Sequence, residues 1–159
     1  MGKKNEKVWL AVAGVVENSE GQILVVMKNY SGLIGQWSFP AGFVKEAETI
    51  DEAVVREILE ETGINAEVEG IIAIRSGVIK DVISDNMIVF HLKTKDSKIV
   101  IQERELEKAA FLSRAQLLDD PKSSLLIKEL LSKPSSVLKL HSNHSPGAQF
   151  HYTKYHVFN

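Results

Sequence analysis

The chain has 159 residues, 44% of them apolar and 25% charged, a balance suited to one folded domain with a sizeable core and not to disorder. Nineteen Lys and Arg against twenty-one Asp and Glu leave a net charge of −2, which argues against a protein that coats nucleic acid. Cysteine is absent, which excludes disulfides, zinc–thiolate centres and thiol nucleophiles and suits a reducing, cytoplasmic compartment.

The longest apolar run, residues 8–16, is far short of the roughly 20 residues that a bilayer-spanning helix needs. Behind Met1-Gly2-Lys3-Lys4 it has the outline of a short signal peptide, but its β-branched content suits a buried strand, and residues 7–16 are read as one. Residues 17–21 are dense in turn formers, and 22–27 form a second strand, so the first two elements make a hairpin. Residues 28–36 form a loop. Trp37-Ser38-Phe39-Pro40 is extended, because the residue before a proline is pushed out of helical space. Thr49 with Glu52 three residues on is a capping box that starts a helix over 50–62, and Gly63 supplies its left-handed end. Strands follow at 66–77 and 86–93 around a polar turn at 80–85, then a strand at 108–112 and helices at 114–119 and 123–132. This order implies an α/β fold, a mixed sheet covered by helices.

At Lys133-Pro134 the composition changes, and we divide the chain into a domain at 1–132 and an extension at 133–159. The extension has no acid and four of the five histidines (His141, His144, His151, His156), interleaved with Phe150, Tyr152, Tyr155 and Phe158. The histidine spacing matches no compact metal motif, and an extra strand within 150–158 is the favoured reading.

The near-neutral total hides one acidic segment. Between Gly42 and Ile64 seven acids face two bases, a net −5. On a wheel of about 100° per residue, Val54, Ile58, Val55 and Leu59 form an apolar arc. Glu57 and Glu61 project into the sector of Ile50 and Val54, with Glu60 beside them. Two such charges about 5 Å apart repel by roughly 3 kcal/mol at an effective dielectric of 20. A solvated acidic face is the plain reading of a glutamate cluster, but the apolar flank favours a hard divalent cation held by carboxylate oxygens.

Gly42, Glu48, Arg56-Glu57-Ile58, Glu60-Glu61 and Gly63-Ile64 stand at the spacing of a complete Nudix box, and the chain resembles the Nudix hydrolase family of MutT-like proteins over about residues 7–132. The lead-in Trp37 to Ala41 also resembles the family, where a second Gly is commoner than Ala41. The resemblance implies an α/β/α sandwich with a mixed sheet and a catalytic loop–helix–loop. It implies that Glu57, Glu60 and Glu61, with the carbonyl of Ala41, bind Mg²⁺ or Mn²⁺. Gly42 would let the backbone approach metal and phosphates, Arg56 would orient the carboxylates, Glu48 would be its structural partner, and Gly63 a helix cap.

The implied reaction is hydrolysis of the diphosphate linkage of a small nucleotide, either a nucleoside triphosphate or a nucleoside diphosphate joined to a group such as ribose. Proton transfer would fall to Glu57 or to a distal acid among Glu103, Glu105 and Glu107, of which Glu105 is favoured. Trp37 and Phe39 could stack on a base, although aromatics beside a proline in a loop before a helix more often pack in the core. Lys28, Lys45 and Arg75 could meet phosphates, and Asp81 and Asp85 could reach substrate or metal. Two other functions stay open: a nucleotide sensor without turnover, and a pyrophosphohydrolase of RNA 5′ ends, which the lack of a basic stripe disfavours. No membrane partner is expected, and dimers are frequent enough in the family to make a homodimer the assembly to test.

Overall fold

A computed structural model describes residues 6–141 and 145–159. Met1-Gly2-Lys3-Lys4 and His144 lie outside the described residues. Strand β1 (Val8–Glu17) is the axis of a seven-stranded mixed sheet. Along its whole length β1 pairs in parallel with β6 (Ile83–Lys93), and β6 pairs antiparallel with β5 (Glu67–Ile79). The other edge of β1 is shared. Residues 11–13 pair with β4 (Ala41–Phe43), and Glu17 opposite Ile23 is the registered pair with β2 (Ile23–Lys28). The expected hairpin forms, short, at its turn end, where β1 and β2 pair antiparallel and the turn is pinned by the Asn18 side chain, which accepts from the Glu20 and Gln22 amides. Most of β2 pairs with β7 (Leu106–Leu112) and β3 (Trp37–Ser38).

Alternation along β1 divides the core into two layers. Val12 and Val16 face helix α1 (Ile50–Thr62), whose Ala53, Val54 and Ile58 are fully buried against them with Phe90 and Leu92. Ala13 and Val15 face the opposite way, against α2 (Arg114–Asp119) and α3 (Leu125–Leu131) through Leu117, Ile127 and Leu131. The result is the expected α/β/α arrangement.

Local signals account for most boundaries. In α1 the Glu52 carboxylate accepts from the Thr49 amide at 3.0 Å, and Gly63, at φ 71°, ends the helix by donating to the Leu59 carbonyl at 2.9 Å. The β5–β6 turn is tighter than expected because Lys80 and Asp81 both adopt left-handed backbone (φ 51° and 56°), so the strands run to Ile79 and from Ile83. Leu59 departs from the helical wheel: it is exposed, since the buried stripe of α1 is centred on Val54 and Ile58 and is narrower than the sequence arc.

The C-terminal residues form a second, two-stranded unit in which β8 (Leu140–His141) pairs with β9 (Val157–Phe158). This is a shorter strand than the one expected within 150–158. Among the described residues no helix is long and apolar enough to cross a membrane.

Candidate active site

Helix α1 delivers three carboxylates to different depths. Glu61, one helical turn beyond Glu57, is only 2% exposed, and its Oε2 has no hydrogen-bond partner. Its other oxygen lies 3.5 Å from Lys28 Nζ, which also donates to the Ala41 carbonyl at 3.3 Å. Burial pushes the Glu61 carboxyl up to about 7, the Lys28 ammonium opposing the shift and the Glu57 charge adding to it.

Glu57 is largely buried beneath β4. A Cβ on Gly42 would sit inside the Glu57 carboxyl group, so at this position only glycine admits the close approach of strand and helix. Glu60 stands on the open edge of the helix, 51% exposed, with Lys45 Nζ at 3.7 Å.

Arg56 ties these groups to the preceding loop. Its Nη1 donates to Glu57 at 2.7 Å and to Glu60 at 3.1 Å, while Nε and Nη2 grip Glu48 in a fork and Nη2 reaches the Phe43 carbonyl at 3.1 Å. The Arg56 guanidinium holds the Glu48 carboxyl below its ordinary range, and Glu48 in turn raises the arginine.

The donor set is all oxygen: three carboxylates and the Ala41 carbonyl. The unpartnered, buried Glu61 Oε2 is what a hard cation would satisfy, so the residues present fit a divalent cation. Among the described residues, no three acidic or imidazole groups already converge into a cage. Arg56 and Lys28 hold the carboxylates instead.

These features can be set beside known proteins. The NUDIX domain model matches residues 7–131. The chain belongs to the Nudix family. It is 32% identical over 120 residues to Nudix hydrolase 8 of Arabidopsis thaliana, a stretch covering 74% of this chain and 32% of that protein. It is 38% identical over 72 residues to the ADP-ribose pyrophosphatase of Methanocaldococcus jannaschii, covering 45% and 42% respectively. The chain thus spans well under half of the length of these relatives. A MutT NUDIX hydrolase from Burkholderia pseudomallei superposes with a TM-score of 0.68 at 20% identity, over 80% of this chain and 98% of that one, and shows the shared fold.

Not every residue singled out in the sequence meets the Nudix box. Phe39 is 3% exposed in the layer under α2 and α3 and offers no face to a base. Trp37 packs on the same layer, and its indole N–H donates to Asp120 at 3.2 Å. The structure therefore gives both the core packing that was the alternative to stacking. Arg75 is paired with Asp85 at 2.6 Å across the β5–β6 hairpin, and Asp81 sits exposed in its turn.

Glu105 is exposed, and its carbonyl accepts from the Asn29 amide at 3.1 Å, one residue beyond Lys28. An extra residue in β7, Glu107, opposite the Met27–Lys28 step produces this juxtaposition.

Sequence reasoning missed two features. Lys28 partners a box glutamate, where a phosphate contact was expected. Trp9 and Phe43 form an exposed edge-to-face pair at 5.6 Å on the α2/α3 face of the sheet. The strand alternation that puts Trp9 on the face of Ala11 and Ala13 was the available signal for this pair, but it needed the β1–β4 register to complete it.

Proposed function

We propose that this chain hydrolyses the diphosphate linkage of a small nucleotide with the help of Mg²⁺ or Mn²⁺. The observation that carries this reading is the Glu61 carboxyl, buried with one oxygen unpartnered among Glu57, Lys28 and the Ala41 carbonyl. A structural glutamate would be expected to satisfy both oxygens or stay in water.

Glu57, Glu60, Glu61 and the Ala41 carbonyl would hold the cation. When bound, such an ion lowers the pKa of water and neutralises the charge of a phosphate. Arg56 keeps Glu57 and Glu60 in place while Glu48 anchors it to the loop. Arg56 takes one oxygen of Glu57 and one of Glu60, which leaves the other of each for the cation, and a cation on Glu61 would free the Lys28 ammonium for a phosphate oxygen. Glu105, whose carbonyl accepts from the Asn29 amide next to Lys28, would accept a proton from water. The Trp9–Phe43 pair, reached along β4 from Ala41, takes over from Trp37 and Phe39 as the surface for a base.

The name of the Methanocaldococcus jannaschii relative, an ADP-ribose pyrophosphatase, supports this class of reaction and favours a nucleoside diphosphate linked to a second group over nucleoside triphosphates. The test is a panel of nucleoside triphosphates and nucleoside-diphosphate-linked compounds, assayed for released monophosphate after chelation and again after Mg²⁺ or Mn²⁺ is restored. Cation-dependent release from at least one compound is expected. Tight nucleotide binding without release from any would make the domain a sensor and overturn the reading. Glu105→Gln should cut kcat by about 10²-fold, the scale of a lost general base, and flatten the acid limb of the pH–rate profile. An unchanged profile would remove Glu105 from proton transfer.

A further inference from the structure

The segment after residue 150 returns to the first turn of α1. Lys154 Nζ donates to both oxygens of Glu52, at 2.7 and 2.8 Å, and to the Ala47 carbonyl at 3.3 Å. Two residues on, His156 Nδ1 lies 2.9 Å from Asp51 Oδ1. Phe158 then packs edge-to-face on Phe90 at 5.6 Å, within the α1 layer of the core.

The base of this segment is anchored as well. Leu138 and Ile71 exchange backbone hydrogen bonds of 2.9 Å, with Gly70 leaving room for the Leu138 carbonyl, and Lys139 pairs with Asn159. A single exposed ion pair is weak. Here one ammonium bridges three acceptors between two fixed ends.

What it bridges matters. Ala47 holds a left-handed backbone (φ 61°), which an alanine adopts only when its surroundings impose it. The Ala47 carbonyl leads directly into Glu48, which grips Arg56, which in turn holds Glu57 and Glu60. Glu52 is the residue that closes the cap at Thr49, and Lys154 holds its carboxyl down to about 2. Through these contacts the strap fixes both the turn before the helix and the first turn of the helix itself.

We propose that residues 154–158 are a strap that sets the geometry of the box, with Lys154 and His156 as positioning residues for its carboxylates. The proposal rests on the cation-binding reading given above. It also gives the extension at 133–159, which lies past the residues matched by the family model, a role in the site of the domain at 1–132.

The test uses the full chain and three variants: Lys154→Met, the double variant Lys154→Met/His156→Ala, and Lys154→Arg. Two quantities are read, amide hydrogen exchange at residues 45–53 and Mn²⁺ affinity from the free-ion resonance signal. The Met variant is expected to exchange faster in 45–53, on the order of tenfold, and to bind Mn²⁺ about tenfold more weakly, the scale of a lost outer contact. The double variant should go further, and Lys154→Arg should restore both values.

Wild-type exchange and wild-type affinity in the double variant would overturn the strap. Faster exchange with unchanged Mn²⁺ affinity would make it structural only and overturn the positioning role. Failure of the wild-type chain to take up Mn²⁺ would overturn the reading beneath the proposal, while exchange alone would still report on the strap.

Discussion

Glu61→Gln is expected to lower kcat/KM by on the order of 10³-fold and to leave the stability of the fold within about 1 kcal/mol of wild type. The two halves of this expectation have one cause. Glu61 is fully buried, and burial outweighs the Lys28 ammonium enough to raise the carboxyl to about 7. The fold therefore gains little from the negative charge, and a neutral side chain of the same shape costs little. Cation binding needs the anionic oxygens, and the unpartnered Oε2 in particular. Steady-state kinetics on the best substrate of the panel, with urea unfolding in parallel, reads both. Wild-type activity in the variant would remove Glu61 from the cation site, and a large loss of stability would mean that its charge supports the fold.

Gly42→Ala is expected to lower both quantities. The added methyl group would occupy the space of the Glu57 carboxyl, so either β4 lifts from α1 or Glu57 leaves Arg56. Overpacking of this kind costs about 1–3 kcal/mol, and a displaced Glu57 should reduce kcat/KM by on the order of 10²-fold. The contrast with Glu61→Gln is diagnostic. One variant changes charge and keeps shape, and the other keeps every charge and changes shape. Equal stability losses in the two would contradict this division.

Much of the site was legible because it lies on one continuous stretch. Residues 42–64 hold a loop, a capped helix and a glycine end, and the helical wheel set Glu57 and Glu61 toward the core with Glu60 beside them. Glu57 and Glu61 are indeed the buried pair and Glu60 the open one. The helix ends at Thr49 and Gly63 were readable for the same reason, since caps are local.

Long-range pairing was not readable. Nothing in residues 8–17 says that they pair in parallel with 83–93 along their whole length and meet the strand that follows them only near Glu17. Phe39 looked available for stacking because burial of a residue before a proline depends on what α2 and α3 cover. Lys28 looked like a phosphate contact because its partners, Ala41 and Glu61, lie 13 and 33 positions away. The tail was hardest of all. Its histidines matched no compact metal motif and its aromatics suggested a further strand, yet Lys154, His156 and Phe158 each find a partner near α1 more than 60 positions away. Composition records which groups a tail carries and is silent on where the tail returns.

If the box glutamates are a socket for a divalent cation, the number of Mn²⁺ ions bound at equilibrium by the wild-type chain, by Glu61→Gln and by Gly42→Ala must differ. Saturable uptake of at least one ion per wild-type chain, weakened by on the order of 10²-fold in Glu61→Gln and clearly weakened in Gly42→Ala, is the predicted result. Equal uptake by all three proteins, or none by the wild type, would contradict it.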